Sequence, residues 1–155
     1  MHVLFVCTGN TCRSPMAEAL LRDAAAARGL DRVRAGSAGV GAWDGAPASE
    51  GAYLVGLEHG LDLSAHRARQ LTPALLAEAD LVLAMGRAHL ARIRELAPGA
   101  NAHLLAEYVG RAQPPEVSDP FGGNLEGYRT TFEELTELVG RLADRLVAQR
   151  PGDPR

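Results

Sequence analysis

Very little in this sequence is aromatic, cysteine or positively charged in excess, and each shortage narrows what the chain can be. Aromatics make up 5% of the residues, so the core must be built mainly from Leu, Val and Ala. There are only two cysteines, Cys7 and Cys12, and both fall in one short segment. That excludes a disulfide-stapled scaffold and suits a reducing cytosol. No apolar run approaches the ~18 residues of a membrane span. The start, Met1-His2-Val3-Leu4-Phe5-Val6, lacks the basic region of a signal peptide. Positive charge is not in excess: 16 Lys and Arg stand against 19 Asp and Glu, a net charge of −3. A general nucleic-acid binder needs a basic face, so that class is set aside. The expected address is cytoplasmic, away from membranes. No internal repeat is present.

What remains is an ordinary soluble composition on 155 residues, enough for one domain with a real core. A single domain over 1–150 is expected, with 151–155 a disordered tail. His2 to Cys7 is a short apolar run of buried-strand type. A polar loop, Thr8 to Arg13, follows. Ser14 and Pro15 then read as cap and first position of a helix that stops near Gly29. Val33–Ser37, Asp80–Met85 and His103–Leu105 are further strand candidates. Helices are expected over Ser49–Glu58, Thr72–Glu78 and Arg87–Leu96. Residues 109–124 read as a Pro- and Gly-rich loop. The last helix carries Leu125, Tyr128, Phe132, Leu135, Leu138, Leu142 and Leu146 at helical spacing. Strands alternating with helices imply an α/β fold of three layers, a parallel sheet flanked by helices. Ligands of such sheets bind beyond the carboxyl ends of the strands, where Cys7 lies.

Cys7 and Arg13 stand six positions apart across this strand–loop–helix junction. Successive backbone N–H groups of such a loop can form an anion nest. The helix adds its positive N-terminal end. Arg13 adds a planar fork able to hold two phosphate oxygens. Gly9 permits backbone geometry that other residues resist. Such a field favours a thiolate at Cys7, to which the Ser14 hydroxyl can donate. A thiolate beside a bound phosphoryl group is placed for in-line attack, giving a phosphocysteine. Read alone, Cys7 can be a buried strand cysteine and Arg13 a surface charge. The strand before, the Gly9-Asn10 loop between and the Ser14-Pro15 start after them favour the chemical reading.

The string from Val6 through Cys7, Thr8, Gly9, Asn10, Thr11, Cys12, Arg13, Ser14, Pro15, Met16 and Ala17 to Glu18 resembles the phosphate loop of the low-molecular-weight protein tyrosine phosphatase family. Ser37-Ala38-Gly39, Asp80 to Met85 and Asp119-Pro120-Phe121-Gly122-Gly123 follow in that family's order, so the resemblance covers almost the whole chain. It implies a central four-stranded parallel sheet, no metal or organic cofactor, phosphorylated protein substrates and inorganic phosphate as product. A monomer or weak dimer is expected. It also implies Asp119 as general acid, protonating the leaving atom and then activating water. Cys12 is implied to form a reversible disulfide with Cys7 that shields the nucleophile, against the alternative of simple packing. Asn10 and His66 are implied to support the loop. Trp43 is implied to lie in a loop that forms one wall of the cleft, against the alternative of core packing. Gly86 departs from the acidic residue common after the Asp80–Met85 strand.

The substrate side chain is divided between two readings. Trp43 and Phe121 can wall a flat slot for phosphotyrosine. Thr11 stands where tyrosine-specific members usually carry a bulky aliphatic residue. With Asp119-Pro120-Phe121 it resembles the protein arginine phosphatase branch, which Trp43 does not match well. The balance favours phosphoarginine. A thioredoxin-coupled arsenate reductase of the same fold would need further cysteines, which the chain lacks. A catalytically silent phosphopeptide-binding module would be expected to have lost Cys7, Arg13 or Asp119, and all three are present.

Overall fold

A computed structural model describes residues 1–149; the tail expected over 151–155 lies outside the described residues. The elements run β1 (His2–Cys7), α1 (Arg13–Ala27), β2 (Arg34–Gly39), α2 (Glu50–Glu58), α3 (Pro73–Glu78), β3 (Leu81–Ala84), α4 (Arg87–Leu96), β4 (Ala102–Leu104), α5 (Leu105–Tyr108) and α6 (Leu125–Ala148). The four strands are all parallel, in the order β2-β1-β3-β4. Among the described residues, no helix is long and apolar enough to cross a membrane.

The pleat of β1 explains the layers. Successive side chains of a strand point to opposite faces. Val3, Phe5 and Cys7 enter one core with Met16, Leu21, Val55 and the stripe Phe132, Leu135, Leu138 and Leu142 of α6. Leu4 and Val6 enter a second core with Leu76 of α3 and Leu90 and Ile93 of α4. Helices thus cover both faces, which is why β1 reads as continuous apolar sequence rather than as alternation. The chain leaves β1 for β2 on one side and later reaches β3 on the other. This reversal puts a crevice at the carboxyl end of β1.

Local details differ from the sequence expectation at several ends. Ser14 does not cap α1. The helix already includes Arg13, Cys12 stands at the cap position without a side-chain cap bond, and Ser14 is buried inside the first turn. The true side-chain caps are Ser49, Thr72 and Asn124, which accept from Ala52, Leu75 and Gly127. β2 extends to Gly39 and β4 begins at Ala102. The short α5 continues directly from β4, where a strand residue was expected at Leu105.

Candidate active site

The loop Thr8–Cys12 joins the end of β1 to the start of α1. Asn10 sits in it with φ of 56° and is fully buried. Asn tolerates this left-handed conformation better than most residues because its short amide can bond locally. Its amide does so fully. Oδ1 accepts the N–H of Arg69 at 2.9 Å, and Nδ2 donates to Ser14 Oγ at 2.8 Å. The carbonyl of Asn10 accepts from His66 Nε2 at 2.7 Å, so that imidazole nitrogen carries its proton.

Ser14 Oγ lies 2.9 Å from Cys7 Sγ. An amide nitrogen can only donate, so Ser14 Oγ accepts from Asn10, which leaves its own proton available to the sulfur when that is a thiolate. A hydrogen bond of this polarity is strongest when the acceptor is a thiolate. Among the described residues, no protein group accepts from the N–H groups of Gly9, Asn10, Thr11 or Cys12. Unpaired backbone donors at the rim of a loop call for an anion.

A cavity of about 270 Å³ opens over this loop, lined by Cys7, Thr8, Gly9, Thr11, Cys12, Arg13, Gly41, Asp119 and Phe121. Arg13 is 7% exposed. Its Nη1 donates to the Val117 carbonyl at 3.2 Å, and its Nη2 lies 3.4 Å from Asp119 Oδ2. The guanidinium is therefore oriented by the same loop that carries the acid. Asp119 is turned by its own local bond, with Oδ1 accepting the N–H of Phe121 at 3.0 Å. Phe121 is 75% exposed, an apolar ring at the mouth. Trp43 stands apart. It is 84% exposed on the loop between β2 and α2 and is not among the residues lining the cavity. Its exposure also removes it from the core.

Both cysteines are free thiols. Cys12 Sγ lies 3.3 Å from Ser49 Oγ and 3.4 Å from the hydroxyl of Tyr128. Burial, then the bond to Cys12, pushes the Tyr128 phenol above its ordinary pKa. The ring of Tyr128 packs on Gly51, where a Cβ would collide with it.

Sequence reasoning missed Ser49, Tyr128, Arg69, His89 and Glu116. Ser49 caps α2 while its N–H also holds the Thr11 carbonyl at 2.9 Å. The departure at Gly86 has a counterpart in Glu116. Its Oε2 accepts the first free N–H of α4, that of Arg87, at 2.7 Å. A Cβ at Gly86 would stand 2.9 Å from that oxygen. The loop carrying Asp119 thus supplies a carboxylate to the first turn of α4.

The model of low molecular weight phosphotyrosine protein phosphatases matches residues 2–151. A protein-arginine-phosphatase of Geobacillus stearothermophilus is 42% identical, over 96% of this chain and 98% of its own. A probable low molecular weight protein-tyrosine-phosphatase, EpsP, of Ralstonia nicotianae is 40% identical, over 94% of this chain and 92% of its own. Among solved structures, a YwlE arginine phosphatase variant with a phosphorylated active-site serine superimposes with a TM-score of 0.91 at 41% identity. It covers 97% of this chain and 98% of its own. On sequence, fold and loop geometry together, the chain belongs to the low molecular weight phosphotyrosine protein phosphatase family.

Proposed function

We propose that the chain hydrolyses phosphoarginine on proteins through a phosphocysteine at Cys7. The observation that carries the chemistry is the bond from Ser14 to the Cys7 sulfur, polarised by Asn10 beneath the unpaired N–H groups of the loop. A phosphoryl group seated on those donors and on Arg13 presents phosphorus to the sulfur. Sγ attacks, the S–P bond forms, and the bond to the leaving nitrogen or oxygen breaks. Asp119 supplies the proton that the leaving atom takes. The same carboxylate then accepts a proton from water as water attacks phosphorus and Cys7 leaves. Developing charge on the phosphoryl oxygens is held throughout by preorganised donors, the largest usual contribution to such a rate. The phosphorylated active-site serine of the related YwlE variant fits a nucleophile that takes up the phosphoryl group. Cys12, the second thiol lining the cavity, is our candidate to resolve an oxidised Cys7 as a disulfide.

The substrate side chain turns on Thr11, which lines the cavity. A hydroxyl there offers a polar partner to a guanidinium, where an aliphatic chain would favour a phenyl ring. The deciding measurement is kcat/KM on a phosphoarginine peptide and a phosphotyrosine peptide, for wild type and Thr11→Ile. Wild type is expected to prefer phosphoarginine and the variant to shift toward phosphotyrosine. A wild-type preference for phosphotyrosine that the substitution leaves in place would make this a tyrosine phosphatase.

A further inference from the structure

The phosphate loop is gripped from the β2 side of β1 by His66 and the N–H of Arg69, both acting on Asn10. A second imidazole reaches it from the other side. His89, in the first turn of α4 beyond β3, has Nε2 2.8 Å from the hydroxyl of Thr8, the residue after Cys7. His89 is only 6% exposed. Its Nδ1 is the single buried side-chain nitrogen or oxygen without a hydrogen-bond partner among the described residues. The contact with Thr8 is therefore the one hydrogen bond of a buried imidazole, a costly arrangement to keep unless that bond has a use.

The surroundings fix the charge state. Burial first, and then the Arg13 guanidinium, push the His89 pKa below its ordinary value, while Asp119 and Glu116 pull it the other way. These are the charged groups that face it, from α1 and from the 109–124 loop. The ring is thus neutral at pH 7 and carries one N–H. An orphaned buried N–H is rarer than an orphaned acceptor, which puts the proton on Nε2. Nε2 then donates to Thr8, and the Thr8 proton stays free for an anion in the cavity that Thr8 lines. Gly86 belongs to the same arrangement, since a Cβ there would come 3.4 Å from Nδ1.

We propose that His89 is a positioning residue of this site: it fixes the Thr8 hydroxyl, and through it the part of the phosphate loop next to Cys7. The inference rests on the phosphatase reading for its rate effects but not for its binding effects, and the test separates the two. Wild type, His89→Leu, His89→Gln, Thr8→Val and the double variant His89→Leu/Thr8→Val are compared. The readouts are kcat and KM on an aryl phosphate, the Kd of inorganic phosphate by calorimetry, and the melting temperature.

His89→Leu and Thr8→Val are each expected to lose about tenfold in kcat/KM, the effect of one hydrogen bond on the reacting group. Both should bind inorganic phosphate more weakly. The double variant should be no worse than Thr8→Val alone, because that substitution already removes the bond to His89. His89→Gln, whose amide can reach the Nε2 position, should recover most of the loss. Multiplying losses in the double variant would overturn the proposal, as would a Gln variant as impaired as Leu or phosphate affinity untouched by either substitution. Failure of the wild type to turn over any aryl phosphate would instead sink the phosphatase reading, while the phosphate titrations still decide the role of His89.

Discussion

At the scale of the residue, Ser14 shows how one hydroxyl takes its direction from its neighbours. Asn10 can only donate to it, which leaves its proton available to the sulfur of Cys7 as a thiolate. Ser14→Ala removes that proton and leaves Asn10 Nδ2 a buried orphan. A hydrogen bond to a charged group contributes about 1.5–3 kcal/mol, so kcat should fall by roughly ten- to a hundredfold. KM should move less, because the bond acts on the nucleophile rather than on the substrate. Single-turnover kinetics with an aryl phosphate would read this directly; unchanged phosphorylation of Cys7 would remove Ser14 from the chemistry. This hydroxyl was legible in the sequence as a partner of Cys7, but its expected capping role was not met, because the loop enters the helix one residue earlier. His89 was not legible. In sequence it is one polar residue in an amphipathic helix, and only the position of α4 beyond the end of β3 could have pointed to it. Asp119 was found through resemblance alone, since Asp-Pro before two glycines is otherwise an ordinary turn.

At the scale of the element, the first turn of α4 illustrates a cap supplied from a distance. Gly86 offers no side chain to the free N–H groups, and Glu116 reaches in from the loop that bears Asp119. That loop is tied down elsewhere too. Val117 donates to the Met85 carbonyl at 2.9 Å, and Ser118 bonds Glu134, which pairs with Arg111 at 2.6 Å. Glu116→Ala should cost about 1 kcal/mol, as loss of a helix cap does. Gly86→Asp should behave oppositely in two backgrounds. Alone it is destabilising, because its Cβ meets the Glu116 carboxylate and two like charges crowd one cap. Combined with Glu116→Ala it should restore the cap and recover the loss. Urea midpoints of the four proteins read the cycle, and equal effects of Gly86→Asp in both backgrounds would disprove the substitution of one carboxylate for the other. The helices themselves were largely readable, because Ser49 and Thr72 cap where they stand in sequence and α6 carries an unbroken apolar stripe. The four residues of α5 were not, since one turn is too short to show a period.

At the scale of the whole molecule, the parallel order β2-β1-β3-β4 decides which groups must be buried around the loop and what acid does to the fold. With elements packed on both sides of β1, an imidazole from the β3 side is sealed in as a neutral group. Burial lowers the pKa of His89, and burial also lowers that of His103, whose ring lies tilted against Tyr108. In the unfolded chain both titrate near ~6.5. Between the depressed folded value and the unfolded one, the unfolded chain binds more protons, so stability rises with pH across that window. The neutral rings therefore carry no proton-linked penalty above pH ~6.5, and stability is lost as pH falls below it toward the folded values. Glu58 and Asp62, whose pKa values are lowered by bonds to Arg129 and Ser64, lose their contribution only as pH falls through the ordinary carboxylate range and below, which separates the two effects. Urea midpoints at several pH values between about 7.5 and 5.5, which bracket the histidine range, should fall with pH in wild type. His89→Gln does not titrate and should flatten the slope, leaving the part due to His103. A slope identical in the two proteins would mean that His89 is not held neutral by the packing around β1, and that its buried Nδ1 is free to take up a proton at no cost to the fold.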